Sequence, residues 1–183
     1  MKPYNGARKS PATQPRRKTL ALILKKEYPK SEEQQTPVVL DIRKLYAGDM
    51  SVEVPHAPEI FQQELNPEIS LGVAHEITKL PEDNYYHIKL RLTVTAKDGE
   101  RVIYLVEVAQ SGIFEISGLP DAQLHHALNV YCPTVLYPYA REGISNAINR
   151  AGFPNLYLQP INFDLMYQQR LQEAAQQADQ PVQ

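Results

Sequence analysis

The sequence is poor in several residues on which specialised folds depend. It has no Trp, one Cys at position 132 and eight Gly in 183 residues. A single thiol cannot close an intrachain disulfide or build a thiolate zinc site alone, so both are excluded and a reducing compartment is favoured. The longest purely apolar stretch near the amino end covers residues 20–24, far shorter than a secretory signal or a membrane span. We therefore expect a soluble, cytoplasmic protein.

A large net charge is also lacking. The chain has 19 Lys and Arg against 21 Asp and Glu, a formal net charge of -2 that gives no basic signature for nucleic acid. Residues 1–30 nevertheless hold nine Lys or Arg, one Glu and four Pro, with little periodicity. We predict that residues 1–37 form a disordered basic extension, more typical of a solvated tail than of a segment in weak contact with RNA or anionic lipid.

Alternating apolar residues are present in four segments, at 38–54, 69–73, 87–96 and 102–108. In the first, Met50 and Val52 share one face while Asp49 and Glu53 share the other, which predicts a half-buried strand. Between the third and fourth segments, the pair Asp98-Gly99 is typical of a two-residue hairpin turn. The pattern therefore predicts four strands in antiparallel pairing.

The fourth segment carries apolar residues at both parities. The parity that we expect to be buried comprises Val102, Tyr104, Val106 and Val108. The opposite parity comprises Ile103, Leu105 and Glu107, which we expect to face solvent. The open face of the sheet would then include an exposed Leu.

Helical patterns begin after Gly118. The spacing predicts helices over 123–129 and 134–151, with Pro133 at the start of the second and Gly152 just past its end. Residues 153–161 contain two Pro and predict an extended apolar connection. Asn162 is a good N-cap for a last helix, which we expect to give way to a flexible Gln-rich tail at residues 172–183.

Side chains capable of catalysis are few. A hydrolase would need Cys132 together with His125 or His126 and an acid such as Glu142 or Asp164. This hypothesis is disfavoured because no glycine elbow is present and Pro133, directly after the Cys, has no N–H for an oxyanion hole. Adjacent His residues on a helix point about a hundred degrees apart and seldom share a metal, and no phosphate-binding glycine loop is present. We expect neither a metal nor a cofactor.

Apolar side chains exceed what one small sheet and two helices readily cover. They lie on the second strand and on the extended connection, and comprise Leu65, Ile69, Leu71, Val73, Phe153, Leu156, Tyr157, Leu158 and Phe163. Any one of them is more often ordinary core. As a set they suggest a groove for a partner or an oligomer contact.

Several short motifs follow one another in a familiar order. They are DMSVEVP at 49–55, LTVTA at 92–96, QSGIF at 110–114, CP at 132–133, LYPYARE at 136–142, FP at 153–154 and PINFD at 160–164. Together they resemble the SecB protein-export chaperone family, over residues 38–169. The resemblance covers most of the chain.

This resemblance implies a fold and a function. The fold is an α+β protomer with a four-stranded antiparallel sheet and two main helices packed on one face, here over residues 38–171. Members of the family assemble as homotetramers, built as dimers of dimers. They are not enzymes but ATP-independent cytoplasmic holdases that bind unfolded preproteins and pass them to the SecA translocation motor. We accordingly expect no nucleic-acid partner and no direct insertion into a membrane.

The resemblance also assigns sites. SecA docking falls on Asp49, Glu53, Leu105 and Glu107, all on the predicted open face, and client binding falls on the apolar groove described above. The chain departs from the family at Leu65, where many members have Trp, and in a tail with only two acids, Glu173 and Asp179. The basic extension has no usual counterpart. An alternative function with the same fold is a specialised holdase for a narrow client such as an antitoxin.

Overall fold

The computed structural model describes residues 37–178 of the chain. Residues 1–36, which make up nearly all of the predicted basic extension, and residues 179–183 of the predicted tail lie outside the described residues. The elements in chain order are β1 (Val39–Glu53), a 3₁₀ turn (Glu59–Gln62), β2 (Glu68–Lys79), β3 (Tyr85–Asp98), β4 (Arg101–Ser117), α1 (Asp121–His126), a π-helical turn (Ala127–Tyr131), α2 (Cys132–Arg150) and α3 (Phe163–Ala178).

The four strands form one sheet in the order β1-β4-β3-β2, and all three pairs are antiparallel. Helix α2 packs on β4, β3 and β1 from one side. The predicted α+β class, with helices on one face of a four-stranded antiparallel sheet, is therefore confirmed. The β3–β4 hairpin closes through Gly99 and Glu100, one position later than predicted, because Asp98 pairs with Arg101. Gly99 has a positive φ of 62°, which such a turn requires.

Strand β3 supplies the central row of the core. Its alternate residues are completely buried on the helix side, as the period of two predicts: Ile88, Leu90, Leu92, Val94 and Ala96. The intervening residues from His87 to Thr95 are only partly buried on the opposite face. The sheet thus has one face against the helices and one open face.

The parity predicted for β4 is wrong at its start. Ala96 pairs with Tyr104 and Lys97 pairs with Val102, so Ile103 is an extra residue in the strand. A one-residue bulge reverses the face of every residue before it. Ile103 is consequently 1% exposed, whereas Val102 is only partly buried.

Strand β1 also contains bulges, at Arg43 and Gly48, where its register against β4 shifts. The shifts keep its apolar residues on the helix side at spacings of two and three: Leu40, Ile42, Leu45, Ala47, Met50 and Val52. The prediction of a half-buried strand is wrong here, since Met50 is 50% and Val52 is 42% exposed. The helical layer leaves this edge strand incompletely covered.

The two helices predicted on either side of Pro133 form one continuous helical segment from α1 to α2. Proline has no N–H to bond the carbonyl four residues earlier, and its ring crowds that carbonyl. That carbonyl belongs to the π-helical turn directly before α2, whose wider hydrogen-bonding pattern accommodates the proline. Gly152, with φ 91°, ends α2 as predicted, and its N–H donates to the Asn149 carbonyl at 3.0 Å.

Helix α3 begins at the predicted cap. The N–H of Leu165 donates to Asn162 Oδ1 at 3.0 Å, the bond expected of an N-cap Asn. The helix continues to Ala178, beyond the predicted domain boundary at residue 171, and residues 171–176 are exposed. None of the helices between residues 37 and 178 is long and apolar enough to cross a membrane.

Candidate client groove and docking face

The four residues assigned to SecA docking lie together on the open face of the sheet. We call Asp49, Glu53, Leu105 and Glu107 the docking face. Across the β1–β4 pair, Glu53 lies opposite Leu105, and Ser51 lies opposite Glu107. Asp49 occupies the next row, so the set covers roughly 13 Å along β1 at 3.3 Å per residue. Asp49 and Glu53 are exposed, whereas Leu105 and Glu107 are partly buried.

The three carboxylates of the docking face differ in their partners. Glu107 accepts hydrogen bonds from β3 at both oxygens, from Arg91 Nη1 at Oε1 and from Thr93 Oγ1 at Oε2, the latter at 3.1 Å. Asp49 and Glu53 form no ion pair with any residue in the described part of the chain. The free negative charge therefore lies along β1.

At the other end of the open face, near the start of β1, the charged side chains pair with one another. Arg43 pairs with Asp41 at 3.1 Å and with Glu115, which also accepts a hydrogen bond from the Tyr85 hydroxyl at 3.2 Å. The bond from Arg43 lowers the pKa of the Glu115 carboxyl, which keeps it ionised. Arg43 thus lies between both of these carboxylates and neutralises one of the two negative charges, whereas Asp49 and Glu53 have no such partner among the described residues.

The predicted client groove lies on the helix side of the sheet, along the edge strand β2. Ile69, Leu71 and Val73 pair with the buried row of β3, so they point toward the helical side. Ile69 and Leu71 are exposed, and Val73 and Leu65 are partly buried. Among the described residues no strand pairs with the outer edge of β2.

The connection after α2 contributes unequally to this groove. Phe153 and Leu158 belong to the buried core, as does Phe163, which was predicted on the connection but is the first residue of α3, so all three support the groove rather than line its surface. Leu156 is partly buried and Tyr157 is 73% exposed. Of the nine predicted groove residues, six are thus accessible to a client.

An aromatic residue missed by the sequence reasoning extends the groove. Phe61, in the 3₁₀ turn, is 51% exposed, and its ring lies 5.2 Å from that of Phe153, which lies 4.8 Å from the ring of Tyr104. The only signal for it is a lone aromatic between prolines in a stretch without periodicity. Phe61 therefore adds an exposed aromatic ring beside the connection after α2.

A second apolar surface was not predicted. The exposed helix-side row of β1 and α2 line an open cavity of about 520 Å³. Its lining includes Met50, Val52, Val108, Tyr139 and Gly143. Three carbon atoms of Val108 and Met50 lie 3.3–3.5 Å from the position that a Cβ on Gly143 would occupy, so α2 packs closely on the sheet at this glycine.

The residues considered for catalysis do not form a site. Cys132 is fully buried, and burial raises the pKa of its thiol to about 12, so the nucleophilic thiolate is absent at neutral pH. His125 Nδ1 lies 2.7 Å from the Tyr167 hydroxyl, and His126 Nε2 lies 2.8 Å from Asp164 Oδ1. Both His residues thus contact α3 instead of Cys132, and the structure gives the nucleophile hypothesis no support.

Comparisons with known proteins give one answer. A family model described as preprotein translocase subunit SecB matches residues 32–174. The protein-export protein SecB of Dichelobacter nodosus (strain VCS1703A) is 70% identical over 145 residues, covering 78% of this chain and 92% of that protein. The protein-export protein SecB of Dechloromonas aromatica (strain RCB) is 47% identical over 152 residues, covering 82% of this chain and 99% of that protein.

Among solved structures, the chain resembles the Mycobacterium tuberculosis Rv1957 SecB-like chaperone in complex with a ChAD peptide from the Rv1956 HigA1 antitoxin. The TM-score is 0.52 at 16% identity, covering 67% of this chain and 90% of that one, so this likeness concerns the fold. The family model and the two relatives of high identity show more than a shared fold. The chain belongs to the SecB family of protein-export chaperones.

Proposed function

We propose that this protein is an ATP-independent cytoplasmic holdase that binds unfolded preproteins in the groove and delivers them to SecA through the docking face. The observation that carries the proposal is the separation of two surfaces on one sheet. Exposed apolar residues of β2 and the connection lie on the helix side, and two carboxylates of β1 that form no ion pair within residues 37–178 lie on the open side. Cargo and motor can therefore be engaged at the same time.

The groove has the properties needed to hold unfolded chains without reading their sequence. Ile69, Leu71, Tyr157 and Phe61 offer apolar contacts of different shapes. The free edge of β2 can pair with the backbone of an extended segment, which is independent of side-chain identity. Because only non-native chains expose such segments, binding holds the client unfolded by mass action.

The docking face has the properties needed to recruit a basic partner. Asp49 and Glu53 attract positive charge, and Leu105 between the strands offers apolar surface that a purely solvated sheet face would lack. Charge complementarity speeds encounter and disfavours wrong partners more than it adds affinity. A motor that must take up and release its chaperone in every cycle is suited by such a contact.

The homotetramer belongs to the same proposal. The exposed apolar row of β1 and the cavity beside α2 form a surface of the kind that oligomers cover. A second copy that covers this surface would explain why Met50 and Val52, on the helix side of β1, are left exposed by the helices of their own chain. Several grooves on one tetramer would then raise the avidity for a long client.

Calorimetry with purified SecA and an unfolded preprotein tests the function. Glu53→Lys should weaken SecA binding by at least about tenfold, since it turns an exposed negative charge that attracts a basic partner into a positive one, and should leave preprotein affinity unchanged. Glu68→Lys is the matched control, because Glu68 is exposed on the same face but outside the docking face and, like Glu53, forms no ion pair among the described residues. Equal SecA affinity of the Glu53→Lys variant and the unchanged protein would contradict the docking assignment.

The narrower alternative, a holdase for one client such as an antitoxin, is not favoured. Both relatives of high identity are named protein-export protein SecB. The alternative predicts no SecA binding by the unchanged protein, which the same calorimetry measures.

A further inference from the structure

The carboxylate of Glu107 is held more firmly than any other acid of the docking face. Arg91 Nη1 donates to one of its oxygens and Thr93 Oγ1 donates to the other at 3.1 Å. Both donors come from β3, where Thr93 lies directly opposite Glu107 and Arg91 lies one row away. The side chains of Arg91 and Glu107 are 34% and 24% exposed, so the pair is accessible from the open face.

Resting on the docking function proposed above, we infer that Arg91 and Thr93 are positioning residues that fix the Glu107 carboxylate for its contact with SecA. An ionised carboxylate offers about four lone-pair positions, and these two donors occupy one on each oxygen. The remaining positions stay free for a donor from the partner. Because the rotamer is already fixed, binding does not have to order this side chain.

The surroundings of Glu107 leave room for such a contact. Its neighbours in the same row are Ser51 on β1 and Thr93 on β3, and beyond Thr93 lies Gly72 on β2. Arg91 is flanked by Ala109 and Ala74. The small side chains across the sheet from Glu107 and Arg91 keep the held carboxylate open to a partner that lies flat on the sheet, with Leu105 beside it on β4.

The effect of removing Arg91 on SecA binding differs in sign according to whether Arg91 positions Glu107 or acts only through its charge. A positive charge within an acidic surface repels a basic partner, so if charge alone mattered, removal of Arg91 would strengthen SecA binding. If Arg91 positions Glu107, its removal weakens binding although the face becomes more negative. The sign of the change therefore separates the two roles.

Lys89 provides a matched control. It lies two residues from Arg91 on the same face of β3, and it pairs with Glu76 at 3.1 Å instead of with the docking face. Lys89→Gln removes the same charge as Arg91→Gln without touching Glu107. Thr93→Val is a complementary variant, since it removes a donor to Glu107 and leaves the charge unchanged.

The experiment is calorimetric titration of SecA with the unchanged protein and these variants. We expect Arg91→Gln and Thr93→Val each to raise the Kd about five- to tenfold, because binding must then order the Glu107 side chain, and Lys89→Gln to leave it unchanged or lower it. In a Glu107→Gln background, Arg91→Gln should add no further loss. Preprotein binding should be the same in all variants, which shows that they are folded.

Two results would overturn the inference. One is an Arg91→Gln variant that binds SecA as tightly as Lys89→Gln. The other is a loss on Arg91→Gln that persists unchanged in the Glu107→Gln background. Failure of the docking function itself would look different, because the unchanged protein would not bind SecA or Glu53→Lys would have no effect.

Discussion

His75 and Arg170 join the edge strand β2 to the last helix, with the imidazole Nδ1 lying 3.3 Å from a guanidinium nitrogen. Arginine has no acceptor, so Nδ1 must accept and the imidazole must be neutral, with its proton on Nε2. Nε2 lies 3.1 Å from Asn129 Oδ1, and the Asn129 amide donates to the carbonyl of His125 at 2.9 Å. The π-helical turn that carries Asn129 thus helps to hold α3 through His75.

We predict that this contact makes stability depend on pH. Burial, the larger cause, and the charge of Arg170 lower the pKa of His75 from its ordinary value of 6.5, against a smaller opposing effect of the bond to Asn129. Between the lowered pKa and 6.5, His75 therefore binds a proton in the unfolded chain but not in the folded chain. The contribution of neutral His75 to the free energy of unfolding is fully present above pH 6.5. It is lost as the pH falls below that value toward the lowered pKa of His75.

Denaturant titrations between about pH 5 and pH 8 measure this dependence. We expect the unchanged protein to lose free energy of unfolding more steeply below pH 6.5 than His75→Gln. The nearby titratable groups His125, His126, Asp164 and Tyr167 are the same in both proteins and cancel in the comparison. Parallel curves for the two proteins would refute the prediction.

A second prediction concerns the close packing at Gly112 in β4. A Cβ at this position would lie 2.7 Å from Phe114 Cε2, 3.0 Å from Leu45 Cδ2 and 3.1 Å from Leu136 Cδ2. Phe114 and Leu136 are fully buried, so neither can move freely. Gly112→Ala should lower the free energy of unfolding by about 1–3 kcal/mol, as overpacking does.

The control for this prediction is Gly72→Ala in β2. A Cβ there meets only Thr93, at 3.6 and 3.7 Å, which is ordinary contact. This change should alter stability by no more than about 1 kcal/mol and in the stabilising direction, because it restricts the unfolded chain. Equal effects of the two substitutions in denaturant unfolding would show that close approach is not what requires Gly112.

The sequence alone was sufficient for features set by local chemistry. The alternation in β3 predicts its buried row, and Gly152 and Asn162 mark helix ends as predicted, because a positive φ and a side-chain cap are properties of single residues. Parity also predicts that Asp49, Glu53, Leu105 and Glu107 share the open face, since no bulge separates Asp49 from Glu53 or Leu105 from Glu107, whereas their docking role rests on the family resemblance.

Features that depend on the partner strand could not be predicted in this way. The bulges at Arg43, Gly48 and Ile103 exist only in the register between two strands, and a single sequence shows no period for them. Likewise, composition cannot distinguish Phe153 from Tyr157 on the same connection. The first is 8% and the second 73% exposed, and only packing against Tyr104 decides which ring is buried.

A third prediction concerns how the connection after α2 is held. The Tyr137 hydroxyl donates to the Gln159 carbonyl, and the Tyr137 ring packs edge-on against Phe163 at 5.9 Å. Tyr137→Phe keeps the ring contact and removes the bond, so it should cost about 1 kcal/mol of unfolding free energy. It should also increase backbone amide exchange near Gln159. An exchange rate there equal to that of the unchanged protein would argue against this anchor.

The last prediction separates support from contact within the client groove. Tyr157 is exposed and Phe153 is buried between Phe61 and Tyr104, although both lie on the same connection. Tyr157→Ala should leave the free energy of unfolding within about 0.5 kcal/mol of its original value and weaken preprotein binding several-fold, because it removes exposed aromatic contact area. Phe153→Ala should instead cost about 3–5 kcal/mol of unfolding free energy, since it opens a cavity in the core.

Denaturant unfolding and preprotein calorimetry on the same samples give both quantities. Leu165→Ala serves as the control, because Leu165 is another exposed apolar residue but lies on α3, outside the predicted groove. It should change neither stability by more than about 0.5 kcal/mol nor preprotein affinity. If Tyr157→Ala binds the preprotein as tightly as Leu165→Ala does, Tyr157 does not contact clients. The groove would then be confined to β2, whose free strand edge would have to supply most of the binding through backbone hydrogen bonds.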